Sequence, residues 1–407
     1  MSSKNSSSVF TASWVDNFDY AIRNVVSEAF KIEARGQTVR YLNIGDPTQF
    51  GFQTPPHLIE AVTRAMRDGK NGYTLSPGIE SAREAVAEDL TSQGMNISSD
   101  RVLLTAGASE GIELALGVLI ERGDEVLMPV PGYPLYTAIL KKVGAKEIPY
   151  LTEPETGWLP CPEQIESLIT PRTRALVIID PNNPTGAVYP ARLRQELVKI
   201  ALRHNIVILA DEIYADLAYT GTQPPIGSLS EDAPIISFSS LSKAYFAPGW
   251  RTGWIAVGST SRLDGVLIAI KKLAEGRLCS TGPMQYAVSA ALTGDRSHIG
   301  KFRSALSTRA ALTSQTLNAI EGLNCTEPKG TFYAMPQVDL PAGCTDEDFV
   351  LGLLRETGVL CVYGSGFGLR PADGFFRLIF LASPSTLSEI YALIEDYIKI
   401  FRKNSLA

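Results

Sequence analysis

Five short apolar runs punctuate the chain, and each stops abruptly at polar or turn residues. They are VLLTAGAS (102–109), DEVLMPVPGYP (124–134), RALVIIDPNNPTG (174–186), IVILADEIY (206–214) and PIISFSSLSK (234–243). They are rich in β-branched residues and unbroken rather than alternating, the pattern of strands buried on both faces of a parallel sheet. Segments of helical period separate them. GIELALGVLI sets Ile112, Leu116 and Leu119 on one face, and ARLRQELVKIALRHN is a second such segment. The alternation predicts an open α/β sheet as the larger part of the molecule.

From about residue 300 the texture changes. A charged helical pattern over 301–320 leads into KGTFYAMPQV, GVLCVYGSGFG and FFRLIFLA, which predict strands of a smaller α+β unit. The last segment, TLSEIYALIEDYIKIF, carries Leu387, Ile390, Ile394, Ile398 and Phe401 on one stripe, with Thr386 and Glu389 spaced as a capping box. There is no internal repeat and no low-complexity linker, so the two parts are expected to pack closely.

Length and charge narrow the classes. A chain of 407 residues exceeds one simple core. The net charge of −6, with signs interspersed, argues against nucleic acid or an anionic membrane as a partner. Five cysteines are scattered singly, without a CxxC pair, which suggests neither a zinc site nor a disulfide framework and fits a reducing cytoplasm. The serine-rich start lacks the apolar core of a signal peptide, and no apolar run is long enough to span a bilayer. The expectation is a soluble cytoplasmic protein with a disordered tail over residues 1–14.

Ligands of open α/β sheets bind beyond the carboxyl ends of the strands, and the unusual residues here cluster at those ends. Gly107, Ala108 and Ser109 form a glycine turn opening a helix, which aims backbone N–H groups at an anion, although many strand–helix turns contain glycine for other reasons. Asp211 ends a buried strand and needs a partner there; a helix cap or a salt bridge would serve as well. Asn183 lies in a proline-bounded turn, where asparagine is also common for its conformation, and Tyr214 alone would pass for core. SSLSKAYFAPGWRTGW (239–254) holds two cations and no acid. Lys243 sits there among serines and aromatics, an amine available to attack a carbonyl, and Arg251, eight residues on, suits a phosphate gripped by two parallel hydrogen bonds.

One ligand matches all of these features, pyridoxal 5′-phosphate. Its aldehyde needs Lys243. Its phosphate needs Arg251, the hydroxyls of Ser240 and Ser242, and the helix start after Gly107. Its ring nitrogen needs a carboxylate such as Asp211, and its 3′ oxygen needs donors such as Asn183 and Tyr214.

The order GASEG, PGYP, NNPTG, ADEIY, SLSK and an arginine eight residues later resembles the class I/II aminotransferases of the type I pyridoxal-phosphate fold, over about residues 15–403. The resemblance implies a large, mostly parallel seven-stranded α/β/α domain (49–300), a smaller α+β domain from both chain ends (15–48 and 301–407), and a homodimer. It gives Lys243 the Schiff-base and proton-shuttle role, Asp211 the ring nitrogen, and Asn183 and Tyr214 the 3′ oxygen. Tyr133 becomes the residue stacked on the ring. Ala108, Ser109, Ser240, Ser242 and Arg251 become phosphate contacts, and Tyr73 reaches the phosphate of the neighbouring subunit. Arg377 and the backbone of Gly45 match the grip on the substrate α-carboxylate. On residues alone, Arg377 reads equally as an exposed arginine of an edge strand.

LNIGDPTQFGFQTPP (42–56), SLSKAYFAPGWR and RLC (277–279) resemble the alanine branch, with Ser240 where glycine is common. Arg277 stands 34 residues after Lys243, about where aspartate-specific relatives bind a side-chain carboxylate. A helix-end ion pair is its other reading. The implied activity is ping-pong exchange between L-alanine and 2-oxoglutarate. Aspartate, branched-chain or aromatic donors and a β-lyase on the same fold are the alternatives. A dinucleotide site at GSGFG (364–368) is a weak reading, because that run opens no helix.

Overall fold

The computed structural model describes residues 11–16 and 21–404. Most of the expected tail, residues 1–10, lies outside the described residues, and Ser13–Asp16 forms one short helical turn. Seven strands make the main sheet: β1 (Val102–Thr105), β2 (Glu125–Val130), β3 (Lys146–Leu151), β4 (Thr173–Ile179), β5 (Val207–Asp211), β6 (Ile235–Ser240) and β7 (Gly253–Val257). Their order is β1-β7-β6-β5-β4-β2-β3, and β7 alone pairs antiparallel with both its neighbours.

Alternation within each strand supplies two apolar layers. In β4, Leu176 and Ile178 face one core, while Ala175, Val177 and Ile179 face the other. Helices Ala108–Leu119, Pro134–Val143 and Asp264–Glu275 contribute to the second core. Ala191–His204 covers the first, ending at Asn205 in the left-handed region (φ 51°), where asparagine is tolerated.

The direction of β7 bears on the site. Gly253, at its start, is in register with Ser240 at the end of β6 and with Thr105 at the end of β1. Running against its neighbours, β7 therefore puts its first residues where the parallel strands finish. Arg251, two residues upstream, is delivered to that edge.

The smaller part joins both ends of the chain. Arg40–Tyr41 pairs with Val359–Leu360, and Leu42 accepts from Ile379 N (3.0 Å). A three-stranded antiparallel sheet carries Phe376–Ile379 between Tyr333–Ala334 and Val362–Tyr363. Arg377 is thus on a central strand and only 2% exposed, so the edge-strand reading is ruled out. The GSGFG run forms a short 3-10 turn after Val362–Tyr363, outside any dinucleotide motif.

The final helix differs from expectation at its start. It runs Pro384–Asn404, so Thr386 lies inside its first turn. Ser383, just before Pro384, accepts from Thr386 N at 3.2 Å and serves as the cap instead of a Thr386–Glu389 box. The physical reason is that proline suits the first helical position, where its missing N–H costs nothing.

Candidate active site

A cleft of about 500 Å³ opens at the carboxyl edge of the sheet, against the smaller part. Gly45, Ala108, Ser109, Tyr133, Asn183, Asp211, Tyr214, Ser242, Lys243, Arg251 and Arg377 all line it. Residues separated by more than 300 positions in sequence are brought to one wall.

Lys243 leaves the tip of β6 half-buried and donates from Nζ to Gly45 O at 2.8 Å. Asp211 ends β5 at 4% exposure. Burial pushes its carboxyl up from the usual 3.8 to about 6, against hydrogen bonds from Ile213 N (3.5 Å) and Tyr136 OH (3.3 Å) and the attraction of Lys243. A cation or N–H donor entering the cleft beside Asp211 would relieve that cost.

At the opposite end, Arg251 Nη2 donates to Ala106 O (3.2 Å) and Nη1 to Pro248 O (3.0 Å). Gly107, at φ 80° and ψ 169°, caps the helix Ala108–Leu119 in a conformation essentially confined to glycine. A Cβ on Gly107 would stand 2.5 Å from Arg251 Nη2, and one on Gly253 would stand 2.8 Å from Ala108 N. Arginine, glycine turn and helix N-terminus are packed as one anion cradle. Gly107→Ala is expected to cost about 1–3 kcal/mol in stability and to displace Arg251, as read by urea midpoint and by phosphate-ester affinity.

Arg377 is sandwiched. Its guanidinium carbon is 4.6 Å from the Tyr333 ring centroid and 4.7 Å from that of Phe367. Nη1 donates to Asn183 Oδ1 at 3.0 Å, and Nη2 to Asn43 O. With Oδ1 so engaged, Asn183 presents its amide N–H groups elsewhere in the cleft. Tyr214 OH is 2.9 Å from Tyr333 OH, and burial raises its phenol well above the usual range, so it stays a donor. Gly45 packs against Tyr333 and its neighbour Phe332, since a Cβ there would meet Phe332 at 2.3 Å and Tyr333 OH at 2.4 Å.

Four expected residues stand apart from the cleft lining: Gly107, which acts through the turn it shapes, and Ser240, Arg277 and Tyr73. Ser240 Oγ is buried and accepts from Ser242 N (3.1 Å), holding the end of β6 rather than facing the cavity. Arg277 pairs with Glu110 (3.1 Å) and donates to Leu104 O (2.8 Å), which fits its helix-end reading. Tyr73 is 83% exposed. Sequence reasoning missed Tyr136, Tyr333 and Phe367. For the two tyrosines the available signal was that a buried hydroxyl requires a partner, and for Phe367 there was none.

A lysine amine near a buried acid, with a glycine turn and arginine at one end and a second guanidinium at the other, fits a pyridoxal-phosphate-dependent enzyme of fold type I. Residues 38–393 match the family described as Aminotransferase class I and II. The chain is 36% identical over 393 residues to the glutamate-pyruvate aminotransferase AlaA of Haemophilus influenzae, covering 94% of this chain and 96% of that one. It is 36% identical to an alanine aminotransferase of Mycobacterium tuberculosis, over 94% of this chain and 91% of the relative. The solved alanine aminotransferase of Pyrococcus furiosus superposes with a TM-score of 0.93 at 38% identity, covering 96% of this chain and all of that one (100%). The chain belongs to the class I and II aminotransferase family, and it is a transaminase that uses pyridoxal 5′-phosphate.

Proposed function

We propose that this enzyme moves the amino group between L-alanine and 2-oxoglutarate by a ping-pong mechanism. The observation that carries the reading is that Lys243 Nζ, the Asp211 carboxyl and the Arg377 guanidinium line one cleft with Arg251. The names of its relatives favour alanine as donor. The engagement of Arg277 by Glu110 within the same chain argues against an aspartate-type side-chain site.

The bound cofactor supplies an aldehyde that takes up the amino group and a ring that withdraws electrons from Cα. Lys243 Nζ, which the Gly45 carbonyl can hold once substrate has displaced it from the aldehyde, removes the proton from Cα and redelivers it. Asp211 keeps a proton on the ring nitrogen. Asn183 and Tyr214 donate to the 3′ oxygen, Tyr133 stacks on the ring, and Arg251, Ser242 and the N–H groups of Ala108 and Ser109 hold the phosphate. Arg377 grips the α-carboxylate, kept rigid by Tyr333 and Phe367, with the Gly45 backbone beside it. Because Asn183 touches Arg377 as well, one side chain aligns cofactor oxygen and substrate carboxylate together.

The exposure of Tyr73 supports a homodimer in which it reaches the partner's phosphate. Residues 15–48 with 301–407 form the small domain of this reading, and 49–300 the large one. Among the described residues no helix is long and apolar enough to cross a membrane, and we assign the enzyme to the cytoplasm.

A half-reaction screen tests the function. Adding L-alanine alone is expected to shift the cofactor's absorbance and release pyruvate, with 2-oxoglutarate reversing the shift. Ammonia release from alanine, or a faster response to another donor, would refute the assignment. Arg377→Lys keeps a charge but loses the planar fork and the stacking. It is expected to raise the KM for alanine about 10–100-fold, the loss of one strong charged hydrogen bond, with a smaller change in kcat.

A further inference from the structure

Arg277 and Glu110 lie outside the cleft, yet each touches a part that shapes it. Arg277 Nε is 3.1 Å from Glu110 Oε1, and both side chains are largely buried, at 17% and 23% exposure. Arg277 Nη2 donates to Leu104 O (2.8 Å), the penultimate carbonyl of β1, and to Ser76 O (3.3 Å). The second Glu110 oxygen accepts from Ala106 N at 2.6 Å, and Ala106 O in turn accepts from Arg251 (3.2 Å). A continuous path therefore runs from Ser76 through Arg277, Glu110 and Ala106 to Arg251.

The path has two ends with one purpose. Residues 105–109 are the turn of the anion cradle. Residues 72–79 carry Tyr73, and they are fixed from the other side by Gln285, which bonds Thr74 Oγ1 (3.0 Å) and Ile79 N (2.8 Å). We propose that Arg277 and Glu110 are positioning residues for the cofactor phosphate, bracing its turn from behind and joining it to the segment that carries Tyr73. The proposal rests on the cofactor site described under Proposed function. Glu110 also places a carboxylate in the first helical turn, beside the backbone N–H groups that would receive the phosphate. Arg277 neutralises that charge, which would otherwise repel a phosphate at short range.

The two variants should therefore differ. Glu110→Gln loosens the brace but removes a negative charge, whereas Arg277→Gln loosens it and leaves the carboxylate uncompensated. Dissociation constants of the cofactor-stripped full-length enzyme are measured for pyridoxal 5′-phosphate and for pyridoxal, which lacks the phosphate. Arg277→Gln is expected to weaken pyridoxal phosphate binding about tenfold or more and Glu110→Gln about threefold, the scale of one charged hydrogen bond or less. Pyridoxal should change less than about twofold, and the double variant should bind better than Arg277→Gln alone, as coupling between touching groups requires. Arg277→Lys should recover part of the loss.

Equal weakening of both ligands would overturn the proposal in favour of a general structural role. A raised KM for 2-oxoglutarate with unchanged pyridoxal phosphate affinity would overturn it by placing Arg277 on substrate. Wild-type enzyme that binds pyridoxal as tightly as its phosphate would instead refute the phosphate site itself, so the two failures are distinguishable.

Discussion

Lys243→Ala is expected to fold, to bind pyridoxal 5′-phosphate, and to turn over at least about 10²–10⁴-fold more slowly than wild type, the range assigned to a single general acid–base group. The structural cost is small. The side chain is half-buried and makes one hydrogen bond, to Gly45 O, worth about 1 kcal/mol net. The chemical cost is large because, among the described residues, the cleft lining offers no second amine: its other cations are Arg251 and Arg377. Both are guanidiniums, which offer donors and no free amine to act as a base. Lys243→Arg separates charge from chemistry, since it keeps the cation but not the free amine, and it should be as inactive as the alanine variant. The readouts are kcat in both half-reactions and borohydride reduction with peptide mapping. A pyridoxyl adduct should appear at position 243 in wild type and in neither variant. Near-normal turnover by Lys243→Ala would remove the basis of the mechanism.

How much of this was legible in the chain follows from where burial is complete. Five of the main strands were visible as unbroken apolar runs, because each is buried on both faces, the edge strand β1 included. The two that were not visible have physical reasons. β3 is an edge strand with polar and half-exposed positions and Pro149 in its length, a composition that protects an edge but hides the strand. β7 begins at a glycine and follows directly on the turn that carries Arg251, so no break in the sequence marks its start.

At the site, residues at strand ends were legible because a charge there needs a ligand. Residues that act on other residues were not. Nothing in KGTFYAMP distinguishes a core tyrosine from one that stacks on Arg377 and hydrogen-bonds to Tyr214. Arg277 shows the converse. Its spacing from Lys243 suggested substrate, but spacing along the chain cannot reveal that Glu110 lies within 3.1 Å.

Asp211→Asn should separate stability from function, with opposite signs. In the cofactor-free protein, burial lifts the Asp211 carboxyl from 3.8 to about 6. Below about pH 4 it is protonated folded or unfolded, and it costs nothing. As pH rises towards 6 the unfolded chain releases the proton while the folded one retains it. Above pH 6 the folded state carries a buried carboxylate, a penalty of about 3 kcal/mol. Its neighbours act in the same sense, since burial raises Glu212 to about 7, and Asp180 to about 6 even against the attraction of Arg194 at 3.2 Å. The cofactor-free enzyme should therefore lose stability between about pH 4 and pH 7, in contrast to the usual salt-bridged acid. Asparagine removes one of the three contributions. Cofactor-free Asp211→Asn is expected to match wild type near pH 4 and to exceed it by up to about 3 kcal/mol at pH 8, in urea unfolding at both values. Activity should move the other way, because a neutral amide cannot hold a proton on the ring nitrogen, and kcat should fall by about 10²-fold or more. A carboxylate that weakens the empty protein and is indispensable to the loaded one is the signature of a site built around a cation that arrives with the ligand. Equal stability of the two cofactor-free proteins at pH 8 would show that Asp211 carries no such burden.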